Sequence, residues 1–589
     1  MAANKAQRTS VRRWRYILLS LVLVSLPISI IVKVAYLQIL PNHEFGVDFL
    51  KHQGEIRSVR NIEIPAPRGA ILDRHGKPLA ISTPVIDIVG NPQKIKRADY
   101  RRLSKALNIS EKKLKDRLKL YKEKSFIYLA RHLSDADADA ILDLEVEGLY
   151  RETQYKRYYP AGEVTAQLIG ITDYQDAGQE GLELAFNDWL KGERGTKKVV
   201  QDVKSRVINN LSLVKPSKPG NDLELSIDLR IQYAAYTELK KAVKQHKAQG
   251  GSIVILDVLT GEILAMANQP SFNPNNRESL NQMALRNRAI TDLIEPGSTV
   301  KPFTMLAALE SGQYQLESLI DTSPGYLKVE YKTFVDPVNY GELDLRGVLS
   351  KSSQVGTTKI ALNLDAHEMR DVFSRVGFGE YLGSGFPGES MGMLPSYRDW
   401  HPVTQATFAF GYGLSASPLQ LARAYGVLAN NGLKKDIKLL LDEGETNVSR
   451  VFSSDLSKTV NNMLESVVSE NGTGKNAMIP HYRVAGKTAT LHKVKTGGGY
   501  DENKYVSAGY DENKYVSAFA GFSPASNPRV VTVVIIDEPS EGKYFGGLVA
   551  APIFSKVTER ALQLLRISPD KQSSSWVNHE SLEEQGKSS

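Results

Sequence analysis

The run Glu295-Pro-Gly-Ser-Thr-Val-Lys-Pro302 places a hydroxyl and an amine three residues apart, at Ser298 and Lys301. At the start of a helix two such side chains share one face. An amine in that position can take the proton from the hydroxyl and leave an activated serine nucleophile. Spacing alone does not single this pair out, because Ser-x-x-Lys also begins at Ser110, Ser212 and Ser540. Ser298 differs in its setting. Gly251–Asp257 precedes it as an apolar run of strand length, Pro296-Gly297 breaks the chain just before it, and Phe303, Met305, Leu306 and Leu309 follow in a helical pattern.

Two further segments carry the groups such a nucleophile needs. Lys351-Ser-Ser-Gln-Val-Gly356 supplies a hydroxyl and an amide, and Val484-Ala-Gly-Lys-Thr-Ala-Thr490 supplies a cation and two hydroxyls. In a strand, the period of two puts Lys487 and Ala489 on one side and Thr488 and Thr490 on the other. A literal Lys495-Thr496-Gly497 follows, but among Gly497–Gly499 it reads as turn chemistry at a hairpin tip. No His or Cys spacing suits a metal: cysteine is absent and the 10 histidines form no HExxH pattern.

The elements that must position these residues are legible in outline. Residues 223–228 and a helix over Leu229–Gln245 lead into the 251–257 strand, and Thr260-Gly261 turns into a strand over Glu262–Ala267. Arg529–Ile536 reads as a buried strand and Ala550–Leu565 as a helix. Before them, residues 41–222 contain a strand, a turn at His75-Gly76 and a strand within 68–80, then a helical stretch at 97–120. Gly178–Glu183 leads into a helix to Leu190, and Lys215–Gly220 is a Pro/Gly linker. The charged residues of this region read as turn anchors and solvated faces. Residues 566–589 are polar and read as a disordered tail. Gly499–Ala508 is repeated without change as Gly509–Ala518. The second copy continues into Phe519-Ala-Gly-Phe-Ser523 and should form the strand, leaving the first as an enlarged hairpin loop.

At 589 residues the chain needs two or more domains, and at 41% apolar and 24% charged it has globular composition. Six of its eight net positive charges lie in residues 1–43, which argues against a nucleic-acid-binding body. Those charges flank an apolar segment over 16–40 that is long enough to span a bilayer and lacks a small-x-small cleavage site. The positive-inside rule puts residues 1–15 in the cytoplasm and the rest outside.

Taken in order, these motifs resemble the class B penicillin-binding proteins, specifically the division-type D,D-transpeptidases. RGAILDRHGKPLA, RYYPAGEVTAQLIG, GQEGLELAF, AMANQPSFNPN, EPGSTVKP, FAFGYGLSASPLQLARAY and the GKYFGG loop at 542–547 carry the resemblance. It implies an α/β multi-domain protein: a single transmembrane helix (16–40), an elongated α+β pedestal (41–222) and a serine β-lactamase-like transpeptidase domain (223–565), its antiparallel sheet flanked by helices. Ser298 would be the nucleophile on a D-Ala-D-Ala stem peptide, Lys301 the general base and Ser352 a proton shuttle. The backbone N–H groups of Ser298 and Thr490 would form the oxyanion hole, while Gln354, Lys487, Thr488 and Thr490 would bind substrate. The reaction implied uses no cofactor. β-Lactams would be trapped as acyl-enzymes, and a SEDS-type glycan polymerase and other division proteins would be partners at the septum of a bacterial inner membrane.

Two positions depart from the family pattern. Its Ser-x-Asn is here Ser352-Ser353-Gln354, one methylene longer, and its Lys-Thr-Gly is Lys487-Thr488-Ala489. A methyl at 489, on the side of Lys487, would press the strand away from the nucleophile helix. These changes and the duplication keep a second reading open, a catalytically impaired scaffold anchored in the division complex. A β-lactamase or carboxypeptidase fits Ser298 and Lys301 but not the anchor and pedestal.

Overall fold

The computed structural model describes residues 13–39, 47–201, 207–278, 280–441, 444, 447–494 and 510–571. A helix, α1, runs over Arg13–Ile39; after Arg15 its one charged residue is Lys33, and Pro27 lies within it. Its 27 residues extend about 40 Å at the helical rise, enough to cross a membrane. The chain divides into two compact units, the smaller comprising Met1–Pro67, Pro84–Tyr155 and Gly192–Pro219. The segments Arg68–Thr83 and Lys156–Lys191, which lie within 41–222, belong to the larger unit with Gly220–Ser589.

In the smaller unit, Val59–Ile64, Gly195–Gln201 and Val207–Lys215 form an antiparallel sheet. A separate core gathers Ile86, Leu103, Leu114, Leu118, Leu129 and Ile141. The helical stretch expected at 97–120 is two helices, Tyr100–Ala106 and Glu111–Leu120. Asn108 breaks them with a left-handed backbone, and the Ser110 hydroxyl caps the second by accepting from Lys113 N.

The larger unit is built on a five-stranded antiparallel sheet. Its strands are β1 (Gly250–Asp257), β2 (Ile263–Gln269), β3 (Ala485–Val494), β4 (Tyr510–Ser523) and β5 (Val530–Asp537). They lie in the order β2-β1-β5-β4-β3. Alternation along β5 separates two cores. Val531, Val533 and Ile535 face one, with α3 (Lys301–Glu310) and α6 (Pro418–Ala429), while Val534 and Ile536 face the other, with α2 (Leu229–Gln245) and α7 (Gly546–Leu564). Both faces are covered, so β1, β2 and β5 are buried along nearly their whole length and mostly apolar rather than alternating.

The second tandem copy does enter the sheet: Tyr510–Ala518 lies in β4, with a bulge where Lys493 pairs Asp511 after His492 has paired Tyr515. The first copy and the Lys495-Thr496-Gly497 turn lie outside the described residues, as do residues 1–12 and 572–589 of the two tails. Ile567 and Asp570 are tied to the fold, accepting from Tyr482 Oη and from Arg483 N.

The reading of the 41–222 charges as turn anchors and solvated faces holds only in part. Asp73 anchors the His75-Gly76 turn, accepting from His75 N and Lys77 N. Arg68, Arg157 and Glu183, however, are at most 5% exposed. Glu183 bridges both guanidinium groups at 2.6 Å, so these three are a buried ion network.

Candidate active site

Ser298 lies not on α3 itself but in a 3₁₀ turn, Gly297–Val300, that runs into it. Residues three apart eclipse in such a turn, which aligns Ser298 with Lys301 more closely than an α-helix would. Gly297 is required here: its φ is +55°, and a Cβ would stand 2.2 Å from a methyl of Leu491 on β3. The helix behind is locked by Phe303 against Phe378 and Tyr425, and the turn by Tyr425 Oη donating to Thr299 O at 2.7 Å.

Lys301 is fully buried. Its Nζ donates to Ser352 O at 2.7 Å, Ser353 O at 3.2 Å and Ser352 Oγ at 3.2 Å. Ser352 Oγ lies 3.4 Å from Ser298 Oγ. Among the described residues the Lys301 amine is linked to Ser298 only through this second hydroxyl, so the connection is a relay rather than a direct bond. Lys487 Nζ donates to the same Ser352 Oγ at 3.0 Å. Ala485, Ala489 and Leu491 belong to the core on the α3 side of the sheet, which puts Lys487 on that face as the alternation predicts.

Two ammonium groups against one hydroxyl are costly in a dry site. Burial pushes Lys301 down to about 7, offset in part by Asp336. Lys487 falls well below the usual lysine range through burial and the neighbouring Lys301 charge. An amine near neutrality can accept a proton at physiological pH, which suits a general base.

Asp336 is the residue that sequence reasoning missed. Its carboxylate is buried and accepts from Ser353 Oγ, Gln354 N and Val355 N. It thereby caps α5 (Gln354–Asn363), where a carboxylate also meets the positive end of the helix dipole. The turn it holds is strained: Ser352 ends α4 (Leu345–Lys351) with φ of +58°. A lone Asp-Pro in a loop gave no signal of this. Gln354 itself is exposed, and among the described residues its amide has no protein partner.

On the opposite face of β3, Thr488 Oγ1 donates to Thr473 Oγ1 at 3.2 Å, and Thr490 Oγ1 accepts from Gly546 N at 2.9 Å. The Thr490 hydroxyl proton is left to donate outward. Gly546, the first residue of α7, sits so close that a Cβ would lie 2.2 Å from Ala489 O. The methyl of Ala489 is buried. With this methyl in place Lys487 is within hydrogen-bond reach of Ser352. Two of the other Ser-x-x-Lys serines have ordinary roles: Ser110 is the helix cap, and Ser540 Oγ donates to Lys247 O.

A buried lysine and a hydrogen-bonded pair of serines on this sheet have the geometry that serine acyl transfer needs. The sequence model of the penicillin-binding protein transpeptidase domain matches residues 251–559, and that of the penicillin-binding protein dimerisation domain matches 63–225. The chain belongs to this penicillin-binding protein family, among its division-type peptidoglycan D,D-transpeptidases. It is 39% identical to a probable peptidoglycan D,D-transpeptidase PbpC of Pseudomonas aeruginosa, over 95% of this chain and 96% of the relative. To the peptidoglycan D,D-transpeptidase FtsI of Escherichia coli it is 40% identical, over 95% and 93%. The transpeptidase domain of Burkholderia pseudomallei penicillin-binding protein 3 superposes with TM-score 0.53 at 38% identity, covering 59% of this chain and 98% of that one.

Proposed function

We propose that this chain cross-links peptidoglycan during cell division. The hydrogen-bonded chain from Lys301 through Ser352 to Ser298 carries the reading. Neutral Lys301 takes the Ser298 proton by way of the Ser352 hydroxyl, and Ser298 Oγ bonds to the carbonyl carbon of the penultimate D-Ala. The oxyanion is held by the backbone N–H groups of Ser298 and Thr490. Thr488 and Thr490 hold the terminal carboxylate, Lys487 adds positive field beside Ser352, and the Gln354 amide binds the donor peptide. As the C–N bond breaks, the departing D-Ala amine takes the proton back through Ser352. The amine of a second stem peptide then displaces Ser298, which recovers the proton. A β-lactam keeps its leaving amine tethered, so the acyl-enzyme persists.

The apolar helix and the basic residues before it support a single-pass protein of the bacterial inner membrane with its catalytic domain in the periplasm at the septum. There it works with a SEDS-type glycan polymerase and other division proteins, a partnership that rests on family resemblance. The domain scheme is a tail (1–15), anchor (16–40), pedestal (41–222), transpeptidase domain (223–565) and C-terminal tail (566–589). The test is to incubate the full-length protein with a fluorescent penicillin and map the label by mass spectrometry. One label on Ser298, lost in Ser298→Ala, is expected. Folded protein that takes no label overturns the enzymatic reading and leaves the scaffold.

A further inference from the structure

On the side of the sheet away from Ser298, α2 and α7 border an open cavity of about 130 Å³. Drug-sized ligands need roughly 300–1,000 Å³, so this one admits only a small group. Lys241 from α2, Lys556 from α7 and Lys543 from the loop between β5 and α7 line it, with His246 and Glu238. Glu238 pairs with Lys556 at 3.5 Å. Among the described residues neither Lys241 nor Lys543 has a carboxylate partner. The nearby acids are already engaged, Glu538 by Lys493 and Lys514 and Glu541 by Lys247.

His246 is the second observation. It is 8% exposed, and among the described residues neither ring nitrogen has a hydrogen-bond partner. Neither nitrogen is sealed from solvent, so a ligand entering the cavity can reach the ring and supply the missing partner. Burial and the Lys543 charge hold the imidazole below its usual range, as expected of a group under an uncompensated positive field. The carbonyl end of α2 opposes an anion by roughly half a charge, and the first turn of α7 offsets it by as much. The ammonium groups therefore decide the sign. Lysines act as point charges on phosphate, whereas a lone carboxylate would more often be met by a planar arginine fork.

We propose that this cavity is an effector site for a phosphate-type oxoanion, held by Lys241, Lys543 and Lys556 with His246 donating from below. The Lys543 loop joins it to the cleft. At one end Ser540 N donates to His246 O at 2.9 Å, and at the other Ser517 Oγ donates to Tyr544 O and Gly546 N to Thr490 Oγ1. Tyr544 also stacks on Tyr515 at 4.1 Å. Drawing Lys543 toward an anion shifts the segment that fixes Thr490, so occupancy changes the rate at which Ser298 is acylated.

The full-length protein in detergent is titrated with inorganic phosphate and with glycerol 3-phosphate against chloride at matched ionic strength. Vesicles containing phosphatidylglycerol form a third arm. Calorimetry reads binding, and NMR reads the His246 imidazole, identified by its loss in His246→Gln. Saturable binding, an imidazole titration displaced to higher pH, and weakening of about tenfold or more in Lys543→Ala and in Lys241→Ala are expected. Response to the soluble anions assigns the site to free phosphate esters; response to vesicles alone assigns it to a lipid headgroup. No saturable binding in any arm, or binding unchanged in both lysine variants, overturns the site. Penicillin acylation of Ser298 should change about twofold or more on saturation and stay constant in Lys543→Ala. Binding without that change overturns the effector role. Because binding is read separately, a protein that fails to acylate at all still tests the site.

Discussion

Two clusters of buried cations in the larger unit are built on opposite plans. At Arg68, Arg157 and Glu183, one carboxylate receives a guanidinium on each oxygen at 2.6 Å, and Arg68 donates further to Glu183 O and Asn187 Oδ1. At Lys301 and Lys487, two amines share one serine hydroxyl, and Asp336, the carboxylate that acts on Lys301, is occupied by hydroxyl and amide donors. Each cluster has more cations than anions. What separates them is whether the cation can shed its charge. A guanidinium cannot, so it must be paired wherever it is buried, and the result is rigid structure. An amine can, and a site that makes it do so near neutrality has made a base.

The largest effect expected from this contrast is at Lys301. Lys301→Met keeps most of the volume and removes the base, so acylation of Ser298 by penicillin should fall by about 10²–10⁴-fold. Stability in a denaturant titration should hold or rise, because a desolvated amine has been replaced by an apolar group. If Lys301→Met unfolds the protein instead, the amine is part of the scaffold and the contrast breaks.

Glu183→Gln should do the reverse. It strands two buried guanidinium groups and should cost about 3–5 kcal/mol in chemical unfolding, while the folded fraction acylates at the wild-type rate. A large loss of acylation in protein that remains folded would show the Arg-Glu-Arg network to be coupled to the reaction.

The contrast also marks what was legible in the sequence. Periodicity gave α2 and most of β1 and β5, because long apolar or amphipathic runs leave few alternatives. The pairing of Lys487 with the Ser298 face follows from counting by twos along β3. Arg68, Arg157 and Glu183 looked solvated because charge is usually exposed, and only the fold brings residues 68 and 183 together. Asp336 was invisible for the same reason. Its role consists of hydrogen bonds to residues 353–355 across a loop, and one Asp-Pro carries no periodic signal. Family resemblance already implies Ser352 as a proton shuttle, but the left-handed backbone that places its hydroxyl is visible only in the fold.

Asp336→Asn sharpens the comparison by weakening the single carboxylate on the lysine side. A lost cap costs about 0.5–2 kcal/mol, readable in unfolding. The acylation rate should drop as pH falls through about 7 in the wild type, as Lys301 gains its proton. Asp336 raises that midpoint, so its neutralisation should move the acidic limb to lower pH. Stability has the same sign of pH dependence as for a carboxylate whose pKa is depressed on folding, displaced to higher pH. Between about 7 and the ordinary lysine value, native Lys301 is neutral while the unfolded chain is protonated. Unfolding there takes up a proton, and the native state gains stability as pH rises across that interval. A pH–rate midpoint unchanged in Asp336→Asn would detach the carboxylate from the base and leave it a helix cap.

The smallest effect belongs to Ala489→Gly. Before the fold is known, a methyl facing the nucleophile helix reads as overpacking, with restored glycine as its cure. In the structure Ala489 pairs with Ala518 on β4, its side chain is buried in the core on the α3 face, and Lys487 two residues away still bonds Ser352. The close approach at this point comes from Gly546, which packs on the carbonyl of residue 489 rather than on its side chain. A carbonyl is the same for alanine and glycine. Acylation in Ala489→Gly should therefore stay within about twofold of wild type, a difference of well under 1 kcal/mol. Glycine in a strand interior should cost about 0.5–1 kcal/mol of stability. A large gain in acylation rate would mean that the methyl holds β3 off the nucleophile after all, and that the lysine pair owes its geometry to that displacement.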